Sequence, residues 1–309
     1  MHQLDYYYGT GAYAADAFKS TSEEKKLSAA IDKNDIQYVQ DYIARGGDVN
    51  AREIFEGHLP RHPVIARAAT LGRTEIVEAL LKGGAEIHQE WQFDAFVEAA
   101  REGNVKTVEA FIKAGMDVNK SPFALNRAIA FNQPEVVKLL IAAKADLSEA
   151  LSGSGPVRAD ERLRMVQLLL NGGANTEARD YIGYTRLMYE PDPDVVRLLL
   201  KHGADFNAEG GGKTVLQAVI DRRPSPERDA IIQQLLDAGA DHKAANTRGK
   251  NAIDSAREWR DAATLKKLDP AFDVSKLPSD AEVKVFVEAA GKGNDIKAVQ
   301  DFLTKHGAD

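Results

Sequence analysis

The sequence predicts an all-α solenoid of about nine helix–turn–helix units with short hairpin fingers, and three observations predict it. First, nearly the same nine residues occur twice, as "FVEAAREGN" from Phe96 to Asn104 and "FVEAAGKGN" from Phe286 to Asn294. Second, each copy continues in the same way, into "VKTVEAFIKAGMD" and "DIKAVQDFLTKHGAD", an apolar run closed by Gly-x-Asp. Third, that closing turn recurs along the chain, as "GGDVN" at Gly46, "GAEIH" at Gly84, "GMDVN" at Gly115 and "KADLS" at Lys144, then "GANTE" at Gly173, "GADFN" at Gly203, "GADHK" at Gly239 and "GAD" at Gly307. The spacings are 38, 31, 29, 29, 30, 36 and 68. The last is twice 34, and "TRGKNAIDSAREWRDAATLKKL" (Thr247 to Leu268) occupies the place of a repeat that lost its turn, which brings the count to nine. A period in this range marks a stacked repeat architecture.

Taken in order, residues 1–24 read as a leader or capping segment and 25–309 as the repeat domain. The "YYYGTGAYAADAF" stretch (Tyr6 to Phe18) suits the covering of an exposed end, because terminal repeats must hide an apolar face. The unit itself is clearest in "PVIARAATLGRTEIVEALLKGGAEI". Its first helix places Ile65, Ala68 and Ala69 on one face; Gly72 ends it; Ile76, Val77, Leu80 and Leu81 form the stripe of the second. Alanines let the helices approach closely while leucines fill the space toward the next unit. Gly84 stands where a helix end wants a left-handed residue without a Cβ, and Asn50 and Asp205 suit the turn that follows.

Four stretches break the period. "REIFEGHLPRHP" (Arg52 to Pro63) extends a hairpin finger, and "SEALSGSGPVRADERLRMV" (Ser148 to Val166) has lost the usual first helix. "YTRLMYEPDPDVVRLLL" (Tyr184 to Leu200) is about three residues short, with Pro191 and Pro193 cutting its first helix. "RRPSPERD" (Arg222 to Asp229) lengthens the loop between helices.

This pattern resembles the ankyrin repeat, whose motif is T-P-L-H-x-A-A-x-x-G followed by a V-x-x-L-L-x-x-G-A-D-x-N run with a period near 33. The likeness is best in "GADFNA" at Gly203, "GKTVLQAV" at Gly212, "FVEAAREGN" and "PVIARAATLGRTEIVEALL", and extends from about Leu27 to Asp309. No repeat keeps an intact T-P-L-H, so the resemblance rests on the copies together. It implies that fingers and inner helices line a concave face that binds another protein. Insertions in such stacks tend to fall on the binding side. The expected protein-binding residues are therefore the finger aromatics Phe55, Trp91, Phe93, Tyr181 and Tyr184, with Arg67, Glu98, Arg101 and Arg127 of the first helices as a polar rim. For Phe93 and Tyr184, which flank a helix start, plain packing competes with binding.

Composition narrows the partner and the chemistry. Lys and Arg number 40 against 47 Asp and Glu, a net charge of −7, which argues against nucleic acid as the partner. No window reaches the eighteen or so apolar residues of a membrane span. Cysteine is absent, which excludes disulfides, thiolate metal sites and Cys nucleophiles. The chain is therefore expected to insert in no membrane and to carry no cofactor. "EGGGKT" (Glu209 to Thr214) ends like a phosphate-binding loop, but that motif needs Gly where Asn207 stands and a preceding buried strand. "LSGSGP" lacks the G-x-S-x-G elbow. Pro60 between His58 and His62 opposes a helix that would align them on a metal. No enzyme site emerges.

The expectation is a stand-alone binding module, monomeric when unbound, that occludes a partner enzyme; the alternative is a scaffold or targeting arm of a larger assembly. In general character the chain also resembles bacterial secreted or periplasmic ankyrin proteins that protect a cell from its own hydrolase, a resemblance that implies a cell-wall endopeptidase as partner. The polar-aromatic start after Met1 suits a mature periplasmic chain whose leader was replaced by Met, with the cytoplasm as the alternative.

Overall fold

In the computed structural model the described residues are 22–55, 58–87, 95–121, 123–153, 155, 158–273, 277–278 and 282. The expected ninth repeat, with its second "FVEAA" copy, and most of the expected leader lie outside them. Among the described residues fifteen α-helices and two short hairpins are found, and no helix is long and apolar enough to cross a membrane. The chain divides into two compact units, Met1–Asp146 and Leu147–Asp309.

The first unit holds α1 (Ser22–Lys33), α2 (Ile36–Ala44), the hairpin β1 (Arg52–Phe55) and β2 (His58–Pro63), α3 (Val64–Thr70), α4 (Thr74–Lys82), α5 (Ala95–Glu102), α6 (Val105–Lys113), α7 (Phe123–Ala130) and α8 (Pro134–Ala142). α1 starts three residues before the expected domain boundary at residue 25, because Glu23 and Glu24 suit the positive end of a helix and Glu23 meets Lys26 one turn on. First helices stack on first helices (α1 on α3 on α5 on α7) and second on second (α2 on α4 on α6 on α8). The buried layer between them is Ala66, Ala68, Ala69, Ala99, Ala100 and Ala128 from the first row and Ile76, Leu80, Phe111 and Leu140 from the second. Small residues on one side and large on the other give close approach without voids. The expected stripe of α4 holds for Ile76, Val77 and Leu80, whereas Leu81 is only half-buried because it sits at the edge of the contact face.

Each repeat of the first unit turns through two left-handed residues, one after each helix. Gly72 (φ +64°) and Gly103 (φ +76°) follow first helices, and Lys144 (φ +65°) takes the place that glycine holds after the other second helices. Gly72 and Gly103 are required twice over. A Cβ on Gly72 would lie 2.8 Å from Asn104 Oδ1, and one on Gly103 would lie 2.2 Å from Gln133 Oε1. Those two side chains cross the turn to reach backbone carbonyls at the end of the preceding first helix, of which Ala69 also accepts from the Gly72 amide. Asn104 Nδ2 donates to the carbonyls of Ala69 (2.7 Å) and Thr70 (3.1 Å), and Gln133 Nε2 to that of Arg101 (2.9 Å). Arg73 does the same for Asp32 at 2.9 Å. Helix ends leave carbonyls without intrahelical partners, and here the next repeat supplies the donors.

Asn50, expected from the sequence only as a turn residue, has a similar role, and Asn119 shares it. Asn50 Oδ1 accepts from the Glu86 amide at 2.8 Å, and Asn119 Oδ1 from the Asp146 amide at 2.8 Å. They tie one finger base to the next.

The second unit holds α9 (Ala159–Asn171), α10 (Arg186–Tyr189), α11 (Pro193–Lys201), the hairpin β3 (Glu209–Gly210) and β4 (Lys213–Thr214), α12 (Val215–Ile220), α13 (Pro226–Asp237), α14 (Ala252–Glu258) and α15 (Ala262–Leu268). The expected irregularities appear. A turn at residues 148–152 replaces the first helix before α9, α10 is a single turn ahead of Pro191 and Pro193, and residues 221–225 form the long loop before α13. The missing helix leaves carbonyls that α10 satisfies. The Tyr189 hydroxyl donates to Leu151 (3.1 Å) and Ser152 (3.0 Å), and Arg186 donates to Gly153 at 2.5 Å. Arg222 in turn reaches the carbonyls of Glu190 (2.7 Å) and Met188 (2.6 Å), the same inter-repeat tie made by Asn104.

Candidate protein-binding surface

The fingers of the second unit form the best-defined exposed surface, and backbone chemistry makes each of them rigid. In the first finger, Asp180 Oδ1 accepts from the amides of Ile182 (3.0 Å) and Tyr184 (2.8 Å), while the Asp180 amide donates to the Tyr184 carbonyl at 2.9 Å. Gly183 takes the left-handed corner at φ +84°. A short acidic side chain that hydrogen-bonds its own backbone two residues on is the usual device for such a turn. The result presents Tyr181, 98% exposed, and Ile182, 49% exposed, on a fixed tip. Preformed tips of this kind lose little conformational freedom on binding.

The last finger repeats the plan. Asn246 Oδ1 accepts from the amides of Arg248 (2.9 Å) and Lys250 (3.1 Å), with Gly249 at the left-handed corner (φ +74°). Between them lies β3–β4, the "GGGKT" segment. It is a hairpin with Gly210 opposite Lys213, whose ammonium lies 2.7 Å from Asp221. Thr214 caps α12 through a reciprocal bond pair with Gln217. These groups serve as finger and helix start, as the register of the repeat implied. Neighbouring fingers are tied together: Arg179 donates to the carbonyls of Gly183 (2.8 Å) and Glu209 (2.5 Å), and the Tyr184 ring lies over the Gly211 backbone, where a Cβ would come within 2.3 Å of it.

The expected site residues separate accordingly. Tyr181 stands free in solvent, whereas Tyr184 is half-buried as the support of the next finger. In the first unit Arg67 forms a two-point pair with Asp32 (2.6 and 2.5 Å), which ties one first helix to the next. Glu98 and Arg101 meet at 2.8 Å, and Arg101 also reaches Glu102 and stacks over the Phe131 ring at 5.9 Å. Arg127 is exposed on α7. The polar rim is thus largely pre-paired within the protein. Trp91 and Phe93 lie outside the described residues, and Phe55 falls in β1 with its side chain outside them.

Among the exposed apolar residues that the sequence reading missed are Leu71, Phe131 and Trp259. All three occupy one register position, the residue that closes a first helix just before the left-handed corner; Glu102 fills it in the "FVEAAREGN" repeat. A bulky apolar side chain at a helix-ending turn was the available signal. On the second-helix side of the first unit a groove of about 710 Å³ runs between α2 and α4, lined among others by Ile36, Ile43, Ala79, Glu78 and Lys82. Among the described residues no cluster of His, Asp and Glu suited to a metal ion is found.

Comparison with known proteins agrees with this geometry. The family described as Ankyrin repeats matches residues 65–150 in three copies. Ankyrin repeat and SOCS box protein 6 of Mus musculus is 36% identical over 95 residues, 29% of this chain and 22% of that protein. NF-kappa-B inhibitor delta of Mus musculus is 25% identical over 251 residues, 78% of this chain and 65% of that protein. The ankyrin repeat domain of Bcl-3, a solved structure, aligns at 17% identity with a TM-score of 0.45, covering 74% of this chain and 92% of that one. The chain spans less than half the length of the first relatives it matches. Helix pairs with left-handed corners and fingers recur on both sides of the matched stretch, and residues 65–150 are ankyrin repeats.

Proposed function

We propose that the chain acts by occupancy: its finger tips and first-helix face bind a folded partner enzyme and cover that enzyme's active-site cleft. The observation that carries this reading is the rigid tip that holds Tyr181 and Ile182 in solvent, since exposed aromatics on fixed supports are the residues that most often anchor interfaces. The name of one relative, an NF-kappa-B inhibitor, supports inhibition as the mode. The narrower version, self-protection against a cell-wall endopeptidase in the periplasm by a monomeric chain without catalysis of its own, belongs to the same proposal. The cytoplasm is its alternative setting, and a scaffold or targeting arm its alternative role.

The test starts from the partner recovered with the native chain and identified by mass spectrometry. Titration of the chain into that enzyme should abolish activity at a one-to-one ratio. Tyr181→Ala and Trp91→Ala should each weaken binding by at least about 2 kcal/mol, the level that marks a hot spot, and both variants should melt like the parent. Glu78→Ala, in α4 beside the second-helix groove, should leave affinity unchanged. A partner that tolerates both tip changes and is lost on altering α2 and α4 would place the interface on the opposite face. A bound enzyme that keeps full activity would leave the scaffold reading.

A further inference from the structure

The last described finger and the helix behind it enclose a cleft of about 420 Å³ in the second unit, walled by Lys213, Asp221, Arg248, Lys250, Glu258 and Trp259. Its charges do not cancel. Lys213 is paired with Asp221, whose carboxylate holds the ammonium above its usual pKa, and Lys250 is paired with Glu258. Those two pairs use both carboxylates. Arg248, on a fingertip whose backbone Asn246 fixes, has no carboxylate partner among the described residues. The opposite wall is Trp259. Its Nε1 donates to Asp221 Oδ1 at 3.1 Å, which sets the plane of the indole while the ring stays 54% exposed. Asp221 therefore does two things at once: it neutralises Lys213 and orients Trp259. What remains for a ligand is one guanidinium and one open aromatic face.

We propose that this cleft recognises an acidic residue adjacent to an apolar one on an exposed segment of the partner protein. The carboxylate docks on Arg248 and the apolar side chain lies on Trp259. The proposal rests on the reading of the chain as a protein-binding module and names the chemistry recognised at one end of its finger row. A guanidinium matches a planar carboxylate through two parallel hydrogen bonds. One unmatched cation answers one carboxylate, whereas a phosphate backbone would bring repeated charge against Asp221 and Glu258 in the same cleft and against a chain of net charge −7.

The two tryptophans of the chain are Trp91 and Trp259, so the full chain carrying Trp91→Phe reports on the cleft alone. The probe is the capped hexapeptide Gly-Gly-Glu-Leu-Gly-Gly, which carries one carboxylate beside one apolar side chain, compared with its Gln counterpart. The Glu peptide is expected to shift Trp259 emission saturably, with the Gln peptide and the Arg248→Ala variant each weaker by at least about tenfold, the loss expected for one charge-assisted hydrogen-bonded contact. Lys138→Ala, at an exposed position of α8 in the first unit, should leave this titration unchanged, and far-UV circular dichroism should show Arg248→Ala folded. Equal binding of the two peptides, indifference to Arg248→Ala, or tighter binding of a single-stranded oligonucleotide would overturn the proposal. If the peptide fails while partner binding still depends on Tyr181 and Trp91, this inference falls and the occupancy reading stands. If the peptide binds as expected while the partner ignores both tips, the occupancy reading falls and the cleft remains.

Discussion

Glu190→Gln is the sharpest test of how the irregular repeat of the second unit holds together. Glu190 follows α10 and is fully buried. Its carboxylate accepts from Arg186 Nε at 2.7 Å, from Arg162 at 3.4 Å and from the Asp192 amide at 3.1 Å. Arg222 lies beside it, donating to its backbone carbonyl; burial pulls that guanidinium's pKa down, and the Glu190 charge pushes it back up. Three guanidinium groups thus surround one carboxylate. Glutamine keeps the shape, so no cavity opens, but it removes the charge and turns half of the acceptor group into a donor facing donors. Breaking a buried pair by removing one partner costs about 3–5 kcal/mol, a large fraction of the roughly 5–15 kcal/mol that a domain has in total. Stability in a stacked repeat is a sum of local and nearest-neighbour terms, so the loss should appear first in α10 and α11 (Arg186–Tyr189 and Pro193–Lys201). Amide hydrogen exchange of those helices should accelerate by about a hundredfold or more, while α3 and α5 of the first unit stay protected. A Glu190→Gln protein within about 0.5 kcal/mol of the parent, the range of an ordinary surface change, would refute the view that this carboxylate organises the cluster.

Three further outcomes are expected. Asn104→Ala should destabilise by about 1–3 kcal/mol, the cost of leaving the Thr70 carbonyl without a donor, with faster exchange in α3, and Asn104→Asp should be no better because it also lacks the donor; unchanged exchange would show the Ala69 and Thr70 bonds to be idle. Burial alone would raise the pKa of the Asp261 carboxyl, but the Thr264 amide and hydroxyl and the Arg228 guanidinium outweigh it and hold it below the ordinary value. A depressed folded pKa means that its contribution is present above the unfolded value near 3.8 and lost as pH falls through the folded one. Denaturant titration at pH 7 and pH 3 should therefore show a loss in α14 and α15 at low pH that Asp261→Asn flattens, and an unaltered pH dependence in that variant would sink the assignment. Lys213→Ala should change no nucleotide turnover, because Lys213 is held by Asp221 on a hairpin, and ATP hydrolysis removed by that change would reverse the reading of "GGGKT".

The repeat, its two helices and its breaks were all legible in the sequence, because they depend on short-range physics. Alanine and leucine spacing sets the two buried stripes, Gly72 and Gly84 mark left-handed corners that side chains with a Cβ resist, and Pro191 and Pro193 stop α10 after one turn. Tyr181 was legible as an exposed tip for the same reason: it lies inside a short polar turn with no core within reach. What only the tertiary structure decided is which polar side chains are spent on the stack and which remain for a partner. Asn104, Gln133 and Arg222 look like ordinary surface residues in the sequence, yet each reaches across about thirty positions to carbonyls of the preceding repeat. Arg67, expected at a binding rim, is consumed by Asp32, and Tyr184 by the backbone of the next finger. Arg248, by contrast, carries a charge that no carboxylate among the described residues pairs, and Trp259 has an open face. Pairings of this kind join residues a full repeat apart, so they follow from how one unit seats on the next, a distance that no local spacing encodes.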